Sequence, residues 1–250
     1  MRKTVLITGA SSGIGEASAK YFLQKGWNVS ATMRSPQKAG HWTNHRSVVC
    51  PSLDVTEPDS IRAAIQLTRE HFGRIDALVN NAGYALMGAL EDITTEQLER
   101  QLQTNFVGLV STIQAVLPLM REQRDRTIIN VASIGGRLAF PLASSYHATK
   151  WAVEGLSEAL RYELQGFNIR VKIIEPGGIK TNFIRGGTVW AEPSGSSPYG
   201  KLTQQVRSFS ERINDSLPGP DKVAEAIYRA ACENSGKLRY SPHGRAFLLL

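Results

Sequence analysis

From the first residues to about position 175, short runs of consecutive apolar, mostly β-branched residues alternate with longer segments whose apolar positions recur every three or four residues. The runs at 4–8, 29–33, 47–50, 77–79, 127–131 and 169–174 show little polar alternation, which predicts strands buried on both faces. Helical spacing covers 13–25, 58–72, 96–120 and 146–165. Strand and helix in this regular alternation predict right-handed β-α-β crossovers, a doubly wound parallel sheet and a three-layer α/β arrangement. No repeat or linker interrupts the 250 residues, so a single domain is expected. The rhythm breaks only at about 182–220, where Gly186-Gly187, Pro193, the run from Ser194 to Pro198 and Pro218-Gly219-Pro220 predict a long excursion.

Composition narrows the picture. A hydrophobic content of 42% is enough for a core and excludes disorder. The two cysteines, Cys50 and Cys232, have neither disulfide-framework nor metal-ligand spacing, so no metal site is expected. The formal charge of +7 comes from scattered residues. Their nearest approach to a cluster, Arg121, Arg124 and Arg126, is expected at a helix C-terminus, where cations favour the dipole. Nucleic acid is therefore not an expected partner. No stretch approaches about 18 uninterrupted apolar residues, so no membrane span is expected. Arg2-Lys3 and Val5-Leu6-Ile7 are too short for a secretion signal, and a cytoplasmic protein is expected.

Chemistry concentrates at the predicted strand ends. Thr8-Gly9-Ala10-Ser11-Ser12-Gly13-Ile14-Gly15 joins the first strand to the first helix. Such a turn aims backbone N–H groups and a helix N-terminus at an anion, and glycine lets a pyrophosphate approach. The spacing is G-x-x-x-G-x-G, so the G-x-G-x-x-G fingerprint is not matched. After the second strand comes Met33-Arg34-Ser35, where many NAD sites carry a carboxylate for the ribose hydroxyl. Arg34 suits a 2′-phosphate, with Ser35 and Lys38 as helpers, or is a solvated loop residue. Asp54 either reaches the adenine or caps a helix.

Tyr146 and Lys150 stand one helical turn apart on one face. Free tyrosine titrates near 10, and lowering that by roughly 3 units takes about 4 kcal/mol, a demand on the lysine and a bound nicotinamide cation together. Tyrosine suits alcohol and carbonyl chemistry because it moves one proton without competing as a nucleophile. Ser133 follows a predicted strand at the carboxyl edge of the sheet, where its hydroxyl either polarises a substrate oxygen or caps a turn.

Taken in order, the Thr8–Gly15 loop, Asn80-Asn81-Ala82-Gly83, Asn105, Ser133, Tyr146 with Lys150, and Pro176-Gly177 with Thr181 resemble the short-chain dehydrogenase/reductase family, from Thr4 to about Thr181. The resemblance implies a Rossmann-type fold and an NADP(H)-dependent oxidoreductase. It implies that Tyr146 is the general acid/base, that Lys150 lowers its pKa and holds the nicotinamide ribose, that Ser133 orients the substrate oxygen and that Asn105 holds a water in a proton relay. It further implies a cofactor contacted by Gly9, Ser11, Ser12, Gly13, Ile14, Gly15, Arg34, Asp54 and Val55. Asn80 to Gly83, chiefly Asn81, Ala82 and Gly83, are implied on the adenosine side, and Pro176, Gly177, Ile179 and Thr181, with Tyr146 and Lys150, around the nicotinamide. Taken by themselves, Asn80-Asn81 also read as an Asx turn and Asn105 as a self-bonded helix residue.

The same resemblance implies that the helices at 96–120 and 146–165 pair about a two-fold axis. Phe106, Leu109, Val110, Ile113, Trp151 and Leu156 exceed what one sheet-facing stripe needs, so a homodimer or homotetramer is expected. Leu156, Leu160 and Leu164 read as core or interface. Following Thr181, residues 182–218 are expected to form a mobile lid whose Phe183, Ile184, Val189, Trp190 and Tyr199 cover an apolar ligand or pack on the domain. The substrate is then a bulky apolar carbonyl, steroid-, retinoid- or ketone-like, with a 3-oxoacyl thioester as the alternative. A nucleotide-sugar epimerase is disfavoured by the roughly 70 residues after Thr181, and a non-catalytic NADP-sensing regulator by the intact Ser133, Tyr146 and Lys150.

Overall fold

The computed structural model describes residues 2–181, 183 and 187–242. Asn182, Ile184 and Gly186 of the expected lid, and the apolar Phe247-Leu248-Leu249-Leu250 at the end of the chain, lie outside the described residues. Seven parallel strands form the central sheet: β1 (Thr4–Ile7), β2 (Asn28–Ala31), β3 (Val48–Val49), β4 (Ala77–Asn80), β6 (Arg126–Val131), β7 (Ile169–Ile174) and β9 (Arg239–Tyr240). Their order is β3-β2-β1-β4-β6-β7-β9, so the winding reverses between β1 and β4 and leaves a crevice at their carboxyl ends. The doubly wound sheet of the sequence reading is confirmed, with β9 added at its edge.

Two apolar clusters cover the two faces. On one, α1 (Gly13–Gln24) and α7 (Asp221–Cys232) bury Ala19, Phe22, Val223 and Ile227 against Val5, Ile7, Val29 and Val79. On the other, α2 (Pro58–Phe72), α4 (Gly108–Gln123) and α5 (Ser144–Leu164) bury Ile61, Ile113, Val116 and Leu160 against Leu6, Leu78 and Ile128. Successive strand residues thus feed opposite faces, which explains why the strands carry no polar alternation. Leu109 and Ile113, expected at an oligomer face, belong to this core, as do Leu160 and Leu164.

Three features depart from the sequence reading. The helix expected at 96–120 begins as α3 (Thr95–Leu102), widens into a π turn over Gln103–Val107 and continues as α4 with Pro118 inside it. By length and composition the joined run Thr95–Gln123 could span a membrane, but its buried positions serve the sheet. Arg126 is the first residue of β6, buried and 3.3 Å from Asp76, because the chain reverses at Arg124 and Asp125, both with φ of 52°. It does not cap a helix dipole. The excursion expected after 182 carries elements the sequence reading did not give it: β8 (Thr188–Trp190) pairs in parallel with β5 (Ala85–Met87) outside the central sheet, and α6 (Gly200–Asn214) follows. Neither α7, whose Val223, Ala224, Ile227, Ala230 and Ala231 have clear helical spacing, nor the short strands β5, β8 and β9 were anticipated.

Candidate active site

At the crevice between β1 and β4 opens a cleft of about 1200 Å³. Its floor at one end is the turn between β1 and α1. Gly9 and Gly13 have φ of +69° and +58°, values that strain a side-chain-bearing residue. An added Cβ on Gly15 would stand 2.2 Å from the Gly9 carbonyl oxygen, so that helix and loop meet only through glycine. Ser12 precedes α1 but makes no side-chain capping bond, which leaves the first-turn N–H groups directed out of the helix. Uncapped donors beside a glycine turn fit a dinucleotide phosphate. Gly9, Ser11, Ser12, Gly13 and Ile14 line the cleft, while Gly15 lies behind them and shapes the turn.

The Asn81 side chain supports this turn from below. Its Nδ2 donates to the Thr8 and Gly9 carbonyl oxygens at 3.0 and 3.1 Å, and the Thr8 hydroxyl accepts from the Asn81 and Ala82 backbone N–H groups. Asn81 therefore holds the loop rather than offering its amide N–H groups to a ligand, and Thr8 is the latch that the sequence reading passed over. Asn80 does not line the cleft as expected, because it ends β4 fully inside the sheet and donates to Asn130 at 2.9 Å. Ala82 and Gly83 do line it.

Beyond the loop, Arg34 is exposed at the cleft edge and makes no ion pair among the described residues, while Ser35 and Lys38 fall outside the lining. Asp54 and Val55 line the cleft too. The Asp54 carboxylate accepts from the Thr56 N–H and hydroxyl at 3.0 and 2.8 Å, and the residue preceding α2 is Glu57, so Asp54 is no helix cap. Pro176, Gly177, Ile179 and Thr181 follow β7 and close the far side, with the Thr181 side chain packed against Gly13.

Ser133, Tyr146 and Lys150 meet at the opposite end of the same cleft. Ser133 begins the turn after β6, and its hydroxyl accepts from the Gly135 N–H at 3.0 Å. Tyr146 and Lys150 leave the first turns of α5. Burial pushes the Tyr146 hydroxyl above its usual range, against a smaller opposing hydrogen bond with Ser133. The Lys150 ammonium is 5.8 Å from the Tyr146 ring centre and donates to the Val131 carbonyl at 2.9 Å. Burial pulls Lys150 down to about 8, with Glu154 working the other way. The lysine by itself thus leaves the tyrosine protonated at neutral pH. The lowered phenol expected from the sequence needs the second cation, that of the nicotinamide.

Asn105 is bound on both sides of its amide by the protein. It lies buried in the π turn, where its Oδ1 accepts from the Tyr84 N–H at 3.0 Å and its Nδ2 donates to the Tyr84 carbonyl and the Thr149 hydroxyl at 2.8 and 3.2 Å. With these bonds its side chain fastens the loop after β4 to α5. Gly83 packs tightly beside it, since an added Cβ would stand 3.0 Å from the Asn105 Oδ1 and push on that side chain. His147 was also missed. Its Nε2 accepts from the Phe140 N–H at 2.8 Å, so Nδ1 carries the proton and donates to the Gly135 carbonyl at 2.7 Å. This neutral ring ties the loop after Ser133 to α5, and its position next to Tyr146 was the available signal. Of the expected lid groups, Phe183 and Val189 line the cleft. Trp190 instead stacks its ring on Arg207, because neighbouring strand residues face opposite sides, and the Tyr199 hydroxyl bonds Glu91.

A family model described as short chain dehydrogenase matches residues 3–189. The chain is 43% identical over 228 residues to a 3-ketodihydrosphingosine reductase of Bacteroides thetaiotaomicron, covering 91% of this chain and 78% of that one. It is similar to the crystal structure of a short-chain dehydrogenase from Streptomyces avermitilis, with a TM-score of 0.84, 33% identity and coverage of 96% and 88% of the two chains. The structure of ElxO with NADP bound superposes with a TM-score of 0.78 at 28% identity, over 98% of this chain and all of the other. Another matched structure is a complex with NADH.

Proposed function

Because this chain belongs to the short chain dehydrogenase family, we propose that it is an NADP(H)-dependent oxidoreductase acting on the carbonyl or secondary alcohol of a bulky, apolar substrate. The observation that carries this reading is the meeting of Ser133, Tyr146 and Lys150 in one cleft with the uncapped glycine turn. NADP(H), when bound, supplies or accepts the hydride. The chain's own groups do the rest. Tyr146, held protonated by its buried setting, gives its hydroxyl proton to the substrate oxygen during reduction and takes it back during oxidation. The Ser133 hydroxyl donates to the same oxygen and fixes its direction. Lys150 places positive charge beside the phenol, and Asn105 and His147 hold the two loops that frame the reacting oxygen.

Arg34 supports the choice of phosphate-bearing cofactor. It stands exposed at the cleft edge, and the end of β2 offers no carboxylate for a ribose hydroxyl. The ElxO relative binds NADP, while another binds NADH. Wild-type kcat/KM is expected to favour NADPH. Arg34→Asp exchanges a charge-assisted phosphate contact for repulsion, a change of about 3 kcal/mol or roughly a hundredfold in that preference. Steady-state rates with both cofactors check this, and a wild type that prefers NADH overturns it.

Tyr84, Leu86, Phe140, Phe183 and Val189 make the substrate end of the cleft apolar and aromatic, which supports a long or bulky carbonyl compound. The Bacteroides relative is named a 3-ketodihydrosphingosine reductase. Phe183 and the segment from Gly187 to α6 then act as a lid over this end. NADPH consumption across a panel of long-chain ketones, 3-oxoacyl thioesters and small sugars tests the class, and sugars as the best substrates refute it.

A second copy of the chain is part of the same reading. Trp151 and Tyr162 on α5 are 55% and 69% exposed, and Val107 and Phe167 are exposed as well, more apolar surface than a lone helix face needs. Light scattering at micromolar concentration should give a multiple of 27.4 kDa, and a mass of one chain contradicts it.

A further inference from the structure

One turn beyond Lys150 on α5, Glu154 is buried, and its two carboxylate oxygens are treated unequally. Oε2 accepts from the Arg239 guanidinium at 3.0 Å, whereas the buried Oε1 has no hydrogen-bond partner among the described residues. A buried carboxylate oxygen left unpaired is costly and calls for a reason. Around it the structure gathers charged groups from four parts of the chain. Glu158 lies one turn further along α5, Arg137 follows the Ser133 turn, Glu175 follows β7 and Arg239 belongs to β9. Arg239 pairs with Glu154, Glu158 and Glu175, and Arg137 pairs with Glu175 at 3.2 Å. Glu175 also accepts from the Ser241 hydroxyl at 2.6 Å.

The three carboxylates exceed the two guanidinium groups by one charge, and Lys150 is a buried cation one turn from Glu154 on α5. Glu154 is the member that faces it, and the two interact electrostatically. The turn carrying Ser133 is shaped to let Glu154 in. A Cβ added to Gly136 would come within 3.0 Å of the Glu154 Cγ and 3.1 Å of the Lys150 carbonyl oxygen. Glycine at this position therefore leaves room for the carboxylate and for the turn of α5 that bears the lysine.

We propose that Glu154 is a positioning residue for Lys150: its carboxylate, anchored by Arg239, keeps the lysine charged at the Val131 carbonyl and so sets the upper pH limit of the site. This rests on the reading of Lys150 as the lysine that serves Tyr146. Burial and the neighbouring Glu175 push Glu154 up to about 7, against Arg239 and Arg137, while Lys150 is drawn down to about 8. The carboxylate is thus charged above about 7 and the amine below about 8, and the two opposite charges coexist between those values. Removing the carboxylate removes the interaction that raises Lys150, so the amine loses its proton at a lower pH.

The test follows Lys150 directly in the cofactor-free chain by NMR of lysine labelled with 13C at the ε carbon, its signal assigned through Lys150→Arg. The Lys150 midpoint is expected to fall by about one unit or more in Glu154→Gln, and by less in Glu154→Asp, which keeps the charge. The wild-type signal should also carry a smaller inflection near 7 as Glu154 ionises, an observation that needs no variant. An unchanged midpoint in a folded Glu154→Gln, or a wild-type titration without that inflection, overturns the proposal. Where turnover with NADPH is established, the alkaline limb of kcat/KM moves to lower pH by the same interval in Glu154→Gln. If no carbonyl substrate is reduced, the oxidoreductase reading fails and the lysine titration still decides this one.

Discussion

Tyr146→Phe is expected to lower kcat by about a thousandfold, the scale of a lost general acid in a positioned site. The change deletes one hydroxyl whose protein partner is Ser133, so the cost in stability is about 1 kcal/mol or less. Cofactor affinity should survive, because the glycine turn, Arg34 and the Asn81 latch lie at the other end of the cleft. Single-turnover rates, together with NADPH titration by fluorescence, separate chemistry from binding. The direction of the pH dependence follows from the buried phenol. Burial favours its neutral form, so reduction keeps its proton donor through neutral pH, whereas oxidation needs the phenolate and accelerates as pH rises until Lys150 loses its charge at about 8. A variant that retains a tenth of wild-type kcat, or an oxidation rate that falls from pH 6 to 7, below the loss of the Lys150 charge at about 8, contradicts the role assigned to Tyr146.

Gly15→Ala carries the second large effect. The new Cβ would lie 2.2 Å from the Gly9 carbonyl oxygen and 2.6 Å from the Asn81 Nδ2. Neither can retreat cheaply, since the oxygen is backbone in a left-handed turn and the amide nitrogen already holds the Thr8 and Gly9 carbonyls. The loop must move away from α1, with a stability loss of about 1–3 kcal/mol and a loss of NADPH affinity on the order of a hundredfold or more. Gly155→Ala is the control, because nothing stands within 4 Å of its added Cβ. It is expected to keep cofactor affinity and gain up to about 1 kcal/mol of stability from helix propensity. Calorimetry and cofactor titration on both variants check the contrast, and equal affinities would show that the close approach at Gly15 does not shape the phosphate turn.

Much of this molecule is written in local pattern. The span of α2 and the span of β7 are read from spacing and from an unbroken apolar run, because a helix face repeats every 3.6 residues and a doubly covered strand is apolar throughout. The same local logic places Tyr146 and Lys150 one turn apart and the glycine turn between β1 and α1. Chemistry confined to neighbours in sequence was therefore legible before any coordinates.

Tertiary structure decided the rest, and each case turns on contacts between distant residues. The strands β5 and β8 have three residues each and exist because they pair with one another across about a hundred positions, more than a periodicity can register in so short a run. Arg126 reads as one of three basic residues at a helix end, yet a reversal at Arg124 and Asp125 carries it into β6 against Asp76. Asn105 and Asn81 have the side chains expected of ligand-binding residues, but the fold spends their amides on Tyr84, Thr8 and Gly9. Glu154 is one turn from Lys150 in the sequence, while the arginine that anchors it arrives 85 residues later on β9. Local sequence determined which elements form and which side chains share a helix face. Which of those side chains remain free to meet a ligand was decided only by long-range packing, because each buried polar atom is satisfied, or left unpaired, by whatever the folded chain brings beside it.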